Sequence, residues 1–196
     1  MGLEAMVFGR LDLKEEAQRL INREEEWIQF PAYEDLGSDY KIFYHLLMHN
    51  YGTPTDFKWD VINDDQPFEV RENMGTYNAP DELQGFIDYL EDYSQYYATD
   101  QLLILFGSDF EYEDAFVNYE NIDRMIKYFN ENESDRYIFK YSTPSEYFDA
   151  INKIEDHEWP TKFQDNMPLV EPADSAWTGF FSSRPNSKSQ VRMGSH

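Results

Sequence analysis

The clearest pattern in the chain is a continuous apolar run followed by a helical repeat. Residues Gln101–Phe106 are apolar at nearly every position and stop at Gly107, which is typical of a strand buried on both faces. Apolar side chains then recur every three or four residues, as on one face of an amphipathic helix: Ala115, Phe116, Tyr119, Ile122, Ile126 and Phe129. The pattern therefore predicts a strand, a turn and a helix in that order.

A second strand and helix are predicted directly afterwards. Tyr137–Tyr141 is rich in aromatic and β-branched residues, as strands are. It runs into Thr143 and Pro144, with Glu146 three residues after the threonine. This spacing predicts a capping box with proline in the first helical turn. The apolar face of the predicted helix comprises Tyr147, Phe148 and Ile151.

An early helix and a central helix are also predicted from apolar spacing. Asp12 with Glu15 could cap the early helix, whose apolar positions are Leu13, Ala17, Leu20, Ile21, Trp27 and Ile28. For the central helix, Asn78 is a plausible N-cap and Pro80 lies in the first turn. Its apolar positions are Leu83, Phe86, Ile87, Leu90 and Tyr93.

Strands and helices therefore alternate, which predicts an α/β fold with a largely parallel sheet and helices packed on it. The apolar run from Lys41 to Met48 fits either a strand or a helix. From Trp159 to Pro185 the chain becomes rich in Pro, Asp, Ser and Gly, and we expect a long ordered loop there.

The charge balance narrows the classes of partner. The chain has 16 Lys and Arg against 39 Asp and Glu, a formal net charge of -23. A surface of this sign repels nucleic-acid phosphates and anionic membranes, so we expect neither as a partner. Because 41% of the residues are hydrophobic and 17% aromatic, we expect a packed core and not a disordered acidic tail.

The lack of cysteine and of long apolar runs excludes further classes. With no Cys, the chain has neither a disulfide nor a thiolate metal site. No apolar run reaches the length of about 18 residues that predicts a transmembrane helix. The first eight residues lack the features of a signal peptide, so we expect a chain that either is not secreted or lacks its natural N-terminus.

Three segments are candidates for chemistry, because ligands of such folds bind beyond the carboxyl ends of the strands. They are Gly9–Asp12, Gly107–Phe110 and the turn at Ser142. Within the second, Asp109 would project from a rigid sheet edge, and its aromatic neighbours would raise the pKa of its carboxyl toward that of a general acid. Ser108 or Asp109 could equally cap the following helix, and the pattern by itself favours the cap.

Two possible metal sites have simpler interpretations. His45 and His49 have the spacing of a zinc-binding helix pair but lack the glutamate after the first histidine, so ordinary packing histidines are favoured. The acidic loop Asp60, Asp64 and Asp65 has no glycine where a calcium hand requires one, so a solvated loop is favoured.

Nucleotide-binding and serine-hydrolase motifs are absent. Four aromatic residues suit the stacking surfaces of a carbohydrate cleft, although each alone is more often a packing residue: Tyr51, Trp59, Trp159 and Trp177.

Several blocks of the chain agree with one another in order and spacing. The main blocks are Gly107–Tyr112 (GSDFEY), Tyr141–Phe148 (YSTPSEYF) and Trp177–Pro185 (WTGFFSSRP), supported by Phe8–Asp12 (FGRLD), Trp59–Val61 and Tyr77–Ala79. Together they resemble the signature blocks of family 38 glycoside hydrolases, the α-mannosidases, and of their lysosomal-type branch in particular.

The resemblance implies a fold and a division of the chain. It implies a partial parallel β/α domain, seven-stranded and barrel-like, that runs into the start of a helical middle domain. Residues 1–175 would be the C-terminal part of the catalytic α/β domain, and residues 176–196 the truncated beginning of the central helical domain.

The resemblance also implies roles for four residues. Family members are retaining hydrolases, in which one carboxylate attacks the anomeric carbon and another carboxyl protonates the leaving oxygen. Asp109 matches the acid/base residue, and Arg10 matches an arginine near the nucleophile. Tyr51 lies in a loop that supplies a substrate-facing tyrosine, and Trp177 matches a tryptophan that lines the sugar site.

The blocks that carry the zinc ligands and the nucleophile match no part of this chain. The resemblance places them before Met1 and, for one histidine, beyond His196. Zinc is therefore expected only in a complete enzyme, and we expect this chain alone to be inactive. The expected partner is a mannose-containing oligosaccharide, the expected location is the lysosome, the vacuole or the secretory pathway, and the oligomeric state stays open. A non-catalytic carbohydrate-binding or interaction module is the alternative.

Overall fold

The computed structural model describes residues 3–31, 39–48, 51–54, 66–154, 157–166, 169–171 and 175–195. The chain forms two compact units. The first comprises Met1–Leu47 and Trp159–His196, and the second comprises Met48–Glu158. Among the described residues, no helix is both long and apolar enough to cross a membrane.

The first unit is built on a four-stranded mixed sheet. Its strands are β1 (Ala5–Phe8), β2 (Glu26–Gln29), β3 (Ile42–Leu46) and β4 (Thr161–Lys162), in the order β1-β3-β2-β4. The β1/β3 and β2/β4 pairs are parallel, whereas β2/β3 is antiparallel. The α/β prediction is confirmed, and the expected parallel pairing holds for two of these three pairs. The run from Lys41 to Met48, which fitted a strand or a helix, contains strand β3.

Helix α1 (Leu13–Asn22) follows β1 and confirms the predicted cap. The carboxylate of Asp12 accepts hydrogen bonds from the backbone N–H groups of Lys14 and Glu15, at 3.2 and 3.4 Å. The helix ends at Arg23, whose φ of 57° is left-handed. Trp27 and Ile28, predicted in this helix, lie instead in β2 because the left-handed residue redirects the chain.

Short elements occupy the segment that was predicted to be a long loop. Besides β4 they are β5 (Val170–Glu171), β6 (Ser175–Ala176) and α5 (Gly179–Ser182), and α6 (Pro185–Gly194) follows. Strands β5 and β6 pair with each other antiparallel.

The second unit is mainly helical. Its helices are α2 (Ala79–Tyr93), a short 3-10 helix (Ser94–Tyr96), α3 (Ala115–Asn132) and α4 (Pro144–Ile151). Side chains of α2 and α3 form its core together with Phe68: Ala79, Leu83, Phe86, Ile87, Leu90, Ile122, Met125 and Phe129. The predicted apolar face of α2 is therefore the one that the structure buries. On α3 the prediction holds for Ile122 and Phe129 but is wrong for Phe116 and Tyr119, which are 76% and 50% exposed.

The capping box at the start of α4 is present as predicted. Thr143 Oγ1 accepts from the backbone N–H of Glu146 at 3.2 Å, and a carboxylate oxygen of Glu146 accepts from the backbone N–H of Thr143 at 2.9 Å. At α2, Asn78 occupies the N-cap position without a side-chain cap bond. Its side chain instead joins the preceding segment, where its oxygen accepts from the backbone N–H of Glu69 at 2.8 Å.

The two predicted strands of this unit are not strands in the structure. Gln101–Phe106 and Tyr137–Tyr141 have no strand ladder. Their backbones form hydrogen bonds with side chains instead. Tyr93 Oη donates to Leu103 O at 3.2 Å. The side-chain amide of Asn130 donates to Phe139 O and accepts from the N–H of Phe139, each at 2.8 Å. An apolar run predicts which side chains are buried. A strand also needs the backbone of a neighbouring strand to accept and donate its hydrogen bonds, and side-chain polarity does not record this.

Candidate active site

Asp109 lies in a turn between the apolar segment Gln101–Phe106 and helix α3. The turn spans residues 109–114, and its backbone is left-handed at Phe110 (φ 65°) and Tyr112 (φ 63°). Positive φ is an outlier for bulky aromatic residues and costs on the order of 1–3 kcal/mol at each position. Such strain persists only where surrounding contacts maintain it, and it is concentrated at functional sites.

Tyr112 supplies one of those contacts. Its hydroxyl donates a hydrogen bond to the carbonyl of Phe106 at 2.7 Å. Its ring lies 3.8 Å from the point where a Cβ would stand on Gly107. The backbone N–H of Glu111 also donates to Ser108 O, at 3.4 Å. Both hydrogen bonds span Asp109 and therefore hold the backbone of the turn at this residue.

The structure rejects two predictions about Asp109. Helix α3 begins at Ala115 with Asp114 as its N-cap, so neither Ser108 nor Asp109 caps it. Asp109 is also exposed, and the Phe110 side chain is 84% exposed. The aromatic neighbours of Asp109 were expected to shield its carboxylate from water, but the described residues leave it exposed. The left-handed turn, which a linear pattern does not reveal, redirects these side chains.

Tyr51 belongs to a short segment that is tied to the segment leading into Asp109. The hydroxyl of Thr53 accepts from the backbone N–H of Gly107 at 3.1 Å. Tyr51 itself is exposed. The structure therefore connects the loop of the predicted substrate-facing tyrosine with the residue two positions before Asp109.

Two buried tyrosines connect Met48 with the apolar segment Gln101–Phe106. The backbone N–H of Met48 donates to Tyr97 Oη at 3.2 Å, Tyr97 Oη donates to Tyr93 Oη at 2.7 Å, and Tyr93 Oη donates to Leu103 O at 3.2 Å. We call this chain of hydrogen bonds the tyrosine relay. The periodic pattern indicates Tyr93 only as an apolar helix position, because the hydrogen-bond partners of its hydroxyl group leave no periodic signal in the sequence.

Arg10 and Trp177 are brought together in the first unit. The guanidinium carbon of Arg10 lies 5.4 Å from the centroid of the Trp177 ring, within the range of a cation–π contact. The Trp177 backbone N–H donates to Leu169 O at 2.9 Å. An open cleft of about 490 Å³ is lined by Ser175, Ala176, Trp177, Gly179 and Lys188. An aromatic face beside a guanidinium can stack on a sugar ring and bond its hydroxyls.

The four predicted site residues therefore form two groups. Tyr51 and Asp109 belong to the second unit, where Thr53 and Gly107 link their segments. Arg10 and Trp177 belong to the first unit, where they contact each other.

The histidine pair considered for a metal site is not a helical pair. His45 lies in β3, fully buried, with Nδ1 3.0 Å from a carboxylate oxygen of Glu26. His49 and the acidic loop with Asp60 lie outside the described residues, as does Trp59. Trp159 packs edge-on against Phe43 at 4.8 Å between ring centroids, so it has a packing contact.

The described residues do not fit a zinc ion. Among them, no cluster of three or more His, Cys, Asp or Glu side chains is arranged to hold a metal. We therefore derive no chemical step through zinc from this chain.

The first unit contains a buried carboxyl group that no sequence pattern indicated. Glu25 is 0% exposed, and among the described residues neither of its carboxylate oxygens has a hydrogen-bond partner. Burial, aided by the charge of Glu16 and opposed by Arg19, raises the pKa of Glu25 to about 8. The acidic run Glu24–Glu26 suggests exposure to solvent, but Glu25 directly precedes β2, and its backbone carbonyl accepts from the N–H of Leu46 in β3 at 2.8 Å.

Comparisons with known proteins agree with the sequence blocks. The family model of the N-terminal domain of family 38 glycosyl hydrolases matches residues 1–168. The chain is 33% identical over 195 residues to the lysosomal alpha-mannosidase of Dictyostelium discoideum, 32% over 197 residues to that of Cavia porcellus, and 31% over 198 residues to that of Homo sapiens. Each alignment covers 98% of this chain and 19% of the relative, so the chain spans about a fifth of the length of these curated relatives. The chain belongs to the glycosyl hydrolases of family 38 and lies largely within their N-terminal domain.

Proposed function

We propose that this chain supplies the acid/base carboxyl and part of the sugar-binding surface of a retaining α-mannosidase. The substrate would be a terminal α-D-mannose residue of an oligosaccharide or glycoprotein. The observation that carries the proposal is the strained turn at Asp109, fastened by Tyr112 and linked through Gly107 and Thr53 to the segment of Tyr51. Family membership supports the reaction class.

In the proposed reaction, Asp109 acts twice. It first gives its proton to the glycosidic oxygen while a carboxylate nucleophile, carried outside this chain, bonds to the anomeric carbon and the C–O bond breaks. The Asp109 carboxylate then takes a proton from water as the water oxygen replaces the nucleophile on the anomeric carbon. The hydrogen-bonded turn would hold the backbone of Asp109 in place during both proton transfers.

Three further residues would bind the sugar. The exposed face of Trp177 would stack on the C–H face of mannose, and Arg10 would hold that ring in place through the cation–π contact. Tyr51, exposed on its tethered loop, would offer a hydroxyl to the substrate.

The rest of the enzyme would come from sequence outside this chain. We propose that residues 1–175 complete a seven-stranded β/α barrel-like domain and that residues 176–196 begin a helical middle domain. The zinc ligands and the nucleophile would be carried outside the chain, and 196 residues alone would be inactive. A lysosomal or vacuolar location is supported by the relatives, which are lysosomal alpha-mannosidases.

The test uses the complete protein that contains this chain, assayed with a nitrophenyl α-mannoside. We expect Asp109→Asn to lower kcat about 10²–10⁴-fold, the usual contribution of general acid catalysis. The matched control is Asp114→Asn, which removes an equal charge from the same turn at an N-cap position without a side-chain cap bond. It should keep activity within about twofold.

Two further measurements separate the acid role from other roles. A dinitrophenyl α-mannoside has a leaving group that needs little protonation, so Asp109→Asn should impair its cleavage much less. The first-formed product should have α configuration by proton NMR, because a retaining enzyme inverts the anomeric carbon twice. Full activity of Asp109→Asn on both substrates would remove Asp109 from the acid/base role.

A non-catalytic carbohydrate-binding module is the second candidate. It is favoured by one observation: an open surface cleft of about 490 Å³ is lined by Trp177, whose ring also contacts Arg10. In that case the complete protein would bind α-mannosides and lose binding with Trp177→Ala, yet release no product.

A further inference from the structure

Three tyrosine rings form a series in the second unit. The centroids of Tyr112 and Tyr119 are 5.4 Å apart, and those of Tyr119 and Tyr141 are 5.9 Å apart. Tyr119 and Tyr141 are each 50% exposed, and Tyr112 is half-buried. We call these three residues the tyrosine ladder. It leaves a row of aromatic surface in contact with solvent.

The two ends of the tyrosine ladder are fixed by hydrogen bonds of their hydroxyl groups. Tyr112 Oη donates to Phe106 O at 2.7 Å, and Tyr141 Oη donates to Asp123 Oδ1 at 2.9 Å. Asp123 lies one turn after Tyr119 on α3, so the helix and the Tyr141 segment are joined where the rings meet. Rings held in this way lose little conformational entropy when a ligand binds.

The position of the tyrosine ladder relates it to Asp109. It begins three residues after Asp109, at the ring that also closes the Asp109 turn. It ends at Tyr141, just before the capping box of α4. The tyrosine ladder therefore joins the turn that carries Asp109 to the end of the segment Tyr137–Tyr141.

The chemistry of a glycosidase identifies what would lie on this surface, and here the inference rests on the proposed function. A general acid protonates the oxygen of the leaving group, so the leaving sugar must lie beside the acid residue. We propose that the tyrosine ladder binds the leaving-side sugars of a mannose-containing oligosaccharide.

Charge and surface chemistry select a neutral glycan for this role. Sugars stack their C–H faces on aromatic rings and need no charge to do so. The carboxylate of Asp123 on the ladder, the exposed Asp109 nearby and the net charge of -23 would repel an anionic ligand. Neutral hydroxyl groups can instead donate hydrogen bonds to these carboxylates.

The first test needs only the 196-residue chain and measures binding, not turnover. A mannotriose with α linkages is titrated while the ring signals of Tyr119 and Tyr141 are followed by NMR. We expect these signals to shift, and Tyr119→Ala to weaken the affinity about tenfold. Tyr119→Phe, which keeps the ring, should bind within about twofold of the unchanged chain.

Controls address folding and specificity. Tyr119→Ala places a strong helix former at a half-exposed helix position, so the fold should be kept. Tyr40→Ala removes an aromatic ring that is 68% exposed in the other unit, and it should not affect binding. The proposal is overturned if Tyr119→Ala binds the trisaccharide as well as the unchanged chain does. It is equally overturned if the ring signals respond to a basic peptide and not to the sugar.

The second test separates this inference from the proposed function. In the complete protein, the ratio of kcat/KM for the oligosaccharide to that for the nitrophenyl mannoside should fall about tenfold in Tyr119→Ala. If that ratio is unchanged while Asp109→Asn is inactive, the enzyme proposal stands and the tyrosine ladder proposal fails. If Asp109→Asn is fully active but Tyr119→Ala loses trisaccharide binding, the ladder remains a glycan site and the acid role fails.

Discussion

The buried carboxyl of Glu25 makes the stability of the first unit depend on pH. Its pKa rises from the usual 4.5 to about 8, chiefly because burial removes its hydration. The folded state therefore holds the proton more tightly than the unfolded state. Stability is fully present below about pH 4.5 and falls as the pH rises toward 8, where folding must bury an ionised carboxylate.

The size of this effect follows from the shift. Each pKa unit corresponds to 1.36 kcal/mol, so the loss of folding free energy that this shift can cause is at most about 5 kcal/mol. Local relaxation and water entry reduce the cost of a buried charge, so we expect a loss of about 2–5 kcal/mol between pH 4.5 and pH 8. Against a typical total of 5–15 kcal/mol for a domain, this is large enough to measure.

The assay is urea unfolding of the chain at several pH values between 4.5 and 8.5, followed by the fluorescence of the fully buried Trp27. Glu25→Gln is neutral at every pH and should lose most of this dependence, becoming the more stable protein above pH 8. The control Glu4→Gln, an exposed carboxylate of the same unit, should keep it. If the free energy of unfolding changed with pH equally in the unchanged chain and in Glu25→Gln, ionisation of Glu25 would not be the cause of the pH dependence.

Two local substitutions test how the second unit is held together. Thr143→Ala removes half of the capping box and should lower the free energy of unfolding by about 1 kcal/mol in urea, whereas Ser142→Ala beside it should change this value by less than about 0.5 kcal/mol. Tyr97→Phe breaks the tyrosine relay at Met48, so amide hydrogen exchange should accelerate at Met48 far more than at Gly107, which Thr53 holds separately. Equal acceleration at both amides would show that the hydrogen bond of Met48 with Tyr97 and that of Gly107 with Thr53 are not independent.

Local features could be predicted wherever one short segment contains all the interacting groups. The caps at Asp12 and Thr143 bond backbone groups two or three residues away, so their spacing alone is sufficient. The apolar face of α2 follows from helical periodicity, whereas on α3 the same rule was right for Ile122 and Phe129 but wrong for the exposed Tyr119. The candidate residues Arg10, Tyr51, Asp109 and Trp177 were identified from the sequence blocks, and their catalytic and binding roles stay predictions.

Predictions failed where the outcome depended on residues far apart in the sequence. Trp27 was placed in a helix because it continued an apolar spacing, but β2 pairs with β3 and β4 through backbone groups that no side-chain pattern records. Gln101–Phe106 was placed in a strand because it is apolar, yet Tyr93 bonds its backbone from α2. Asp109 was expected to be dehydrated, but the two left-handed residues in its turn leave it exposed.

The sequence by itself determined the helices α1 to α4, two of their caps, the acidic character of the chain and its resemblance to family 38 glycoside hydrolases. Each of these depends on residue types at short spacings. Only the tertiary structure decided the mixed sheet, the burial of Glu25, the contact of Arg10 with Trp177 and the tyrosine ladder beside Asp109. These features join segments separated by many residues, and their energies depend on distance and burial, which exist only once the chain has folded.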